Sequence, residues 1–97
     1  MHARLTRIEA SADRLDELGR QFEQETLPQI QGLEGFRGYV LLGDRSNGIA
    51  IAITYWDSGE AMQASEEAVQ QPRQQAAEAA GARSAPIVER YEVFQQS

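Results

Sequence analysis

The chain has 97 residues and a mass of 10.8 kDa, which suffices for one small hydrophobic core and not for two. Nine basic and fifteen acidic residues give a net charge of -6, and the arginines are scattered singly, which argues against a nucleic-acid-binding surface. The absence of cysteine excludes disulfides, thiolate metal ligands and cysteine nucleophiles. No apolar run suits a bilayer, and residues 1–10 lack a signal-peptide core. We therefore expect a cytoplasmic protein with one domain over residues 1–97 and no membrane contact.

The first part of the chain predicts a strand followed by a helix. Residues 2–10 carry β-branched side chains without a helical period, which favours a short strand. Ser11 is expected to cap the helix. The apolar stripe of this helix recurs at i, i+3 and i+7: Leu15, Leu18 and Phe22. Since proline is strained inside a helix, Pro28 should end or kink it around residues 26–27.

The middle of the chain predicts a β-hairpin. Residues 36–42 alternate like a strand, with Phe36, Val40 and Leu42 on one face and Tyr39 and Leu41 on the other. The Asn47-Gly48 pair that follows is a strong hairpin signal. Residues 49–56 form the third strand almost without a polar residue, so both of its faces need cover.

A second helix is expected over residues 58–80, with Ser58 as its cap and Gly81 at its end. Met62 and Val69 are its only bulky apolar residues, and Pro72 is expected to interrupt it. The stretch around residues 70–75 should therefore open at a lower free energy than the rest of the fold.

Residues 87–94 form the last predicted strand, with Ile87, Tyr91 and Val93 on one face. The order strand, helix, strand, strand, helix, strand predicts a ferredoxin-like α+β fold, in which a four-stranded antiparallel sheet carries both helices on one face. One apolar face of strand three then lacks cover: Ile49, Ile51, Ile53 and Tyr55. Since exposed apolar patches mark interfaces, we expect a homodimer that buries these residues.

Four local sequences occur in an order that is typical of one family. They are Leu27-Pro28, LEGFRG at residues 33–38, DRSNG at residues 44–48, and the Tyr55-Trp56 pair. Together they resemble the antibiotic biosynthesis monooxygenase (ABM) superfamily, and the resemblance covers essentially the whole chain. It implies a dimeric α/β barrel, in agreement with the dimer expected from the two-faced strand.

The resemblance also implies a class of functions. Members of the superfamily include cofactor-free oxygenases of aromatic polyketides, heme-degrading enzymes and quinol oxygenases, with a pocket between sheet and helices. Trp56 matches a tryptophan that lines this pocket, whereas the asparagine that polyketide oxygenases carry four residues earlier is Ala52 here. The only histidine is His2, so a helix-borne heme ligand is absent. We expect no cofactor and no metal, and the resemblance assigns no catalytic residue.

The candidate ligand pocket is centred on Trp56. Ala52 and Thr54 share its face of strand three, and a row of small side chains beneath a helix leaves volume for a small apolar or aromatic molecule. Phe22 and Met62 lie on the helix stripes that should face this row. Core packing is the alternative role for all five residues.

Two functions remain open. One is a cofactor-independent monooxygenase acting on a small aromatic or quinol-like molecule, whose anion supplies electrons to oxygen. The other is a non-catalytic dimeric small-molecule-binding or stress-associated protein that keeps the fold without the chemistry. His2 is expected to be a frayed or surface residue, and three arginines are expected to be solvated charges rather than an anion site: Arg37, Arg73 and Arg83.

Overall fold

Four antiparallel strands form one sheet in the computed structural model, which describes all 97 residues. The strands are β1 (His2–Glu9), β2 (Phe36–Asp44), β3 (Ile49–Trp56) and β4 (Ile87–Glu92), in the order β2-β3-β1-β4. The helices pack on one face of this sheet, so the ferredoxin-like α+β fold predicted from the sequence is confirmed.

The strand register separates the two faces of the sheet. The pairs His2–Trp56, Arg4–Thr54, Thr6–Ala52 and Ile8–Ala50 lie between β1 and β3 on the face that the helices cover. The alternate residues of β3 lie on the opposite face and are half-buried in the single chain: Ile49, Ile51, Ile53 and Tyr55. Leu42 of β2 and two residues of β4, Ile87 and Tyr91, extend this open face and are about half exposed.

An irregularity in β2 corrects the predicted face of Phe36. Phe36 pairs with Trp56, but the preceding residue of β3, Tyr55, pairs with Gly38 rather than Arg37, so the register shifts by one residue. Gly38 takes a φ of 133°, which side chains of L-residues rarely adopt. Because of this bulge, Phe36 lies on the helix-covered face with Leu41, and not with Val40 and Leu42 as the alternation predicted.

The β2–β3 hairpin is fixed by its turn residues. The Asp44 carboxylate accepts hydrogen bonds from the backbone N–H of Ser46 and from the side chain of Asn47. Gly48 has a φ of 65°, and a Cβ at this position would lie 2.5 Å from the carbonyl oxygen of Ala10. Both its backbone angle and this close approach require glycine.

The first helical segment contains four elements in sequence: a 3-10 turn (Ala12–Arg14), α1 (Leu15–Gln21), a π-helical turn (Phe22–Thr26) and α2 (Leu27–Ile30). Ser11 precedes it, but its side chain makes no capping hydrogen bond, contrary to expectation. The chain also stays helical beyond residues 26–27. Pro28 is tolerated because it lies in the first turn of α2.

The second helical segment consists of α3 (Gly59–Ala64) and α4 (Glu66–Ala79). Ser58 caps α3 as predicted, since its Oγ accepts from the backbone N–H of Ala61. The interruption lies at Ser65, and not at Pro72, which is buried inside α4. Gly81, with a φ of 63°, follows the end of α4.

Two buried clusters join the helices to the sheet. The larger contains Ile8, Ala10, Leu18, Ala50, Ala76 and Ala80, and the smaller contains Phe22, Ile30 and Val69. Of the predicted first-helix stripe, Leu18 and Phe22 are buried and Leu15 is half-buried.

The last strand ends at Glu92, two residues earlier than predicted, and Phe94 is exposed. None of the helices combines the length and the apolar character that crossing a membrane requires.

Candidate functional site

A cavity of about 60 Å³ lies between the covered face of the sheet and the helices. Its floor consists of alternate residues of β1 and β3: Thr6, Ile8, Ala50, Ala52 and Thr54. Two alanines of β3 contribute to this floor. Ala52 lies beside Thr6 of β1, and Ala50 lies beside Ile8. These short side chains leave the space beneath the helices that the cavity occupies.

The roof of the cavity comes from the two helical segments. Phe22 and Thr26, the first and last residues of the π-helical turn, contribute one side, and Val69, Pro72 and Ala76 of α4 contribute the other. π-helical turns inside helices frequently occur at functional sites. This turn has no recognisable pattern in the sequence, which is why it was not predicted.

Three of the five predicted pocket residues line this cavity: Phe22, Ala52 and Thr54. Trp56 and Met62 are buried outside its lining. Trp56 nevertheless acts on the cavity wall, because its indole Nε1 donates a hydrogen bond to Thr54 Oγ1 over 3.0 Å. This bond leaves the Thr54 hydroxyl free to donate its own proton to an acceptor in the cavity.

A buried arginine, Arg4, is the main feature that the sequence analysis missed. Its Nη2 donates to the carbonyl oxygen of Met62 over 2.6 Å and to Ser65 Oγ over 2.8 Å. Its Nε donates to Glu66 Oε1 over 3.0 Å, and its guanidinium lies 5.5 Å from the centre of the Trp56 ring. The strand alternation in the sequence could have predicted its burial, because Arg4 lies on the same inward face of β1 as Thr6 and Ile8.

Glu66 is the common partner of three arginines. Besides Arg4, it accepts a hydrogen bond of 2.7 Å from Arg90 Nε, and its Oε2 lies 3.7 Å from Arg73 Nη2. Burial alone would raise the pKa of Glu66, but the hydrogen bond from Arg90 and the charges of all three arginines lower it. Burial lowers the pKa of Arg4, and the charges of Arg73 and Arg90 lower it further. The charge and hydrogen bond of Glu66 raise it, but do not outweigh these effects.

The structure corrects the expected position of Arg73. The sequence predicts a solvated surface charge here, but the Arg73 side chain is only 19% exposed and lines the cavity. Arg73 follows the buried Pro72 in α4, and the turn of the helix brings it over the sheet near Arg4. Arg37 is exposed, as expected, and pairs with Asp57.

The residues around the cavity do not fit a ligated heme. Its lining contains no histidine, cysteine, methionine or tyrosine side chain that could bind iron. The only histidine, His2, belongs to β1 rather than a frayed end, and its Nδ1 is buried without a hydrogen-bond partner. No three His, Cys, Asp or Glu side chains are arranged to hold a metal ion.

The sheet order, the helices on one face and the cavity between them define a ferredoxin-like protein with an internal cavity. Residues 1–80 match the family model described as antibiotic biosynthesis monooxygenase. The chain therefore belongs to the antibiotic biosynthesis monooxygenase family, as the resemblance in its sequence implied.

The chain is similar in sequence to uncharacterized mycobacterial proteins and in fold to several solved structures. The chain is 37% identical over 93 residues to the uncharacterized protein Rv2557 of Mycobacterium tuberculosis, covering 96% of this chain and 41% of that protein. It thus spans about two fifths of the length of that relative. A monooxygenase of Streptomyces coelicolor, ActVA-Orf6, in complex with nanaomycin D has the same fold, with a TM-score of 0.81, 10% identity, and coverage of 99% of this chain and 89% of that one. The heme-degrader MhuD of Mycobacterium tuberculosis, with two hemes in its active site, gives a TM-score of 0.70 and 23% identity, and covers 100% of this chain and 99% of its own.

Proposed function

We propose that this protein is a cofactor-independent monooxygenase that acts on a small aromatic or quinol-like molecule. The observation that supports this function is the cavity beneath the helices, whose walls are apolar except for a few hydroxyl and guanidinium groups. Such a lining suits a flat apolar body with one or two polar substituents. Membership of the monooxygenase family adds the class of reaction.

The proposed chemistry relies on the electrons of the substrate. A deprotonated electron-rich ring transfers electrons to O₂, one oxygen atom enters the product, and the other leaves as water with two hydrogens from the substrate. The protein would exclude water, orient the ring and stabilise the anion. We assign the Thr54 hydroxyl, which accepts from the indole N–H of Trp56, as a donor to the developing negative charge.

The size of the cavity implies that the roof moves when a substrate binds. A cavity of about 150 Å³ is known to hold benzene, and the space here is about 60 Å³. The buried apolar side chains of α4 are small, namely Val69, Pro72, Ala76 and Ala77, so the helix buries little apolar surface for its length. We therefore propose α4 as the element that opens, as the sequence indicated for residues 70–75.

The protein is further proposed to act as a homodimer through the open face of the sheet. Ile49, Ile51 and Ile53 lie together on that face without helical cover, and Leu42 and Ile87 beside them are about half exposed. A second copy would bury this patch by packing the two sheets face to face. The cavity lies on the other face and remains accessible in such a dimer.

Oxygen uptake with a panel of anthrone and hydroquinone substrates tests the proposed activity. Thr54→Val removes the hydroxyl with little change of shape, and should lower kcat by at least about tenfold if this donor stabilises the anion. Ser46→Ala, which deletes a hydroxyl in the exposed hairpin, is the matched control and should leave the rate unchanged. No uptake with any substrate would contradict the proposed activity, and equal rates for wild type and Thr54→Val would contradict the role assigned to Thr54.

The second candidate is a non-catalytic binding protein with the same cavity. Ala52 favours this function, because an apolar methyl occupies the centre of the cavity floor, where a polar side chain would orient a reacting ring. The same experiment separates the two functions. A binding protein would retain an aromatic ligand in an equilibrium measurement and consume no oxygen.

A further inference from the structure

Arg73 presents an unsatisfied charged group beside the cavity. Its Nη2 is buried and has no hydrogen-bond partner. The nearest carboxylate oxygen, Glu66 Oε2, lies 3.7 Å away, which is beyond a hydrogen bond. A buried guanidinium N–H without a hydrogen-bond acceptor costs free energy, so we expect a ligand to supply the acceptor.

Glu66 does not make this hydrogen bond in the structure. Its Oε1 accepts from both Arg4 and Arg90, and with the carboxylate held in this way its Oε2 stays 3.7 Å from Arg73 Nη2. No other carboxylate lies within 4.0 Å of the three guanidinium groups, so one negative charge faces three positive charges. The cluster has a surplus of about two positive charges in a chain whose net charge is -6. A surplus of this sign, partly screened from water, favours an anion.

Arg4 and Arg73 both line the cavity, but their hydrogen-bonding states differ. Arg4 is held by the Met62 carbonyl, Ser65 Oγ and Glu66, so its role is structural. Arg73 is the guanidinium that retains a free donor, and it stands next to apolar surface formed by Val69 and Ala76. A ligand that fits both the free donor and the apolar surface has an apolar body and an anionic oxygen group at one end.

We infer that Arg73 is an anion-binding residue of this cavity, and that its ligand is an aromatic or apolar molecule carrying one carboxylate. A planar carboxylate matches the flat guanidinium fork in shape and charge. The inference rests on the cavity of the proposed function and narrows its substrate class.

Benzoate and its neutral analogue benzamide test this preference, because they share the ring and differ in charge. Isothermal titration of the full chain should show benzoate binding at least about tenfold more tightly than benzamide, the gain typical of a charge-assisted hydrogen bond. Arg73→Gln should lower the affinity for benzoate to that for benzamide and should leave the affinity for benzamide unchanged. Arg73→Lys, which keeps the charge and loses the fork, should retain part of the preference.

Arg20→Gln is the matched control. Arg20 lies exposed on α1 and takes part in no side-chain hydrogen bond or ion pair, so its loss removes the same charge and should leave the preference intact. A preference that persists in Arg73→Gln, or that is absent from the wild type, would overturn the inference.

The outcome is separable from that of the proposed activity. A protein that prefers benzoate through Arg73 and consumes no oxygen with any substrate supports the anion site and refutes the oxygenase. A protein that oxidises neutral substrates and shows no preference for benzoate refutes the anion site alone.

Discussion

Replacing Glu66 with glutamine removes the carboxylate that pairs with the buried guanidinium of Arg4. The Arg4 side chain is 4% exposed and that of Glu66 is 18% exposed. Arg4 would keep the Met62 carbonyl and Ser65 Oγ as acceptors but would lose its counter-ion. Breaking a buried pair costs about 3–5 kcal/mol, and we expect the lower end, about 3 kcal/mol, because Glu66 reaches solvent. At about 4–8 °C per kcal/mol for a domain of this size, the thermal midpoint falls by about 12–24 °C.

The same substitution should change the pH dependence of stability. Because the folded state lowers the pKa of Glu66, its carboxylate stabilises the fold above its unfolded pKa of about 4.3. This contribution disappears as the pH falls through the lower pKa of the folded state. The difference in unfolding free energy between wild type and Glu66→Gln should therefore shrink below about pH 4.

Urea unfolding followed by circular dichroism, at neutral pH and in acid, measures both effects. Asp16→Asn is the control, because Asp16 and Arg45 form an ion pair of 2.7 Å in which both side chains are exposed, and its loss should change stability little. Equal midpoints for Glu66→Gln and Asp16→Asn, or a difference that does not vary with pH, would refute the reasoning.

Three further predictions concern assembly, the hairpin and motion. Ile51→Asp should place an unpaired charge in the proposed homodimer interface and lower the light-scattering mass from twice 10.8 kDa to 10.8 kDa. A wild-type mass of 10.8 kDa at micromolar concentration would contradict the dimer. Gly48→Ala should cost more than about 1–2 kcal/mol in urea unfolding, because of its positive φ and the nearby Ala10 carbonyl, while Gly43→Ala, whose Cβ would meet only a side chain at 3.7 Å, should cost less. In hydrogen exchange, amides of residues 69–77 should exchange before those of residues 15–22, and equal protection would mean that α4 is a fixed wall.

The fold was predictable because its signals are local. The Asn47-Gly48 turn, between the alternating residues 36–42 and the apolar run of residues 49–56, defines the hairpin, and the order of elements then leaves the ferredoxin-like arrangement as the simplest solution. The bulge at Gly38 was not predicted, because β2 carries apolar residues on both faces and the change of face at Gly38 does not interrupt its hydrophobic pattern. The break at Ser65 was assigned to Pro72 instead, since proline is the stronger helix breaker and yet fits inside α4.

The candidate site was predictable only in its apolar part. Phe22, Ala52 and Thr54 were identified from periodicity and line the cavity. The arginine–glutamate cluster was missed because charged residues are usually exposed, and because Arg4 and Glu66 are 62 positions apart in the chain. Only the folded structure shows that β1 and α4 bring these groups together.

Methyl NMR during an anaerobic titration with hydroquinone tests most directly whether the cavity is the ligand site. Ile8 and Ile30 line the cavity, whereas Ile51 and Ile53 lie on the opposite face of the sheet. The methyl signals of Ile8 and Ile30 should shift with added ligand, and those of Ile51 and Ile53 should not. Shifts confined to Ile51 and Ile53 would place the ligand on the open face and contradict the assignment of the cavity as the functional site.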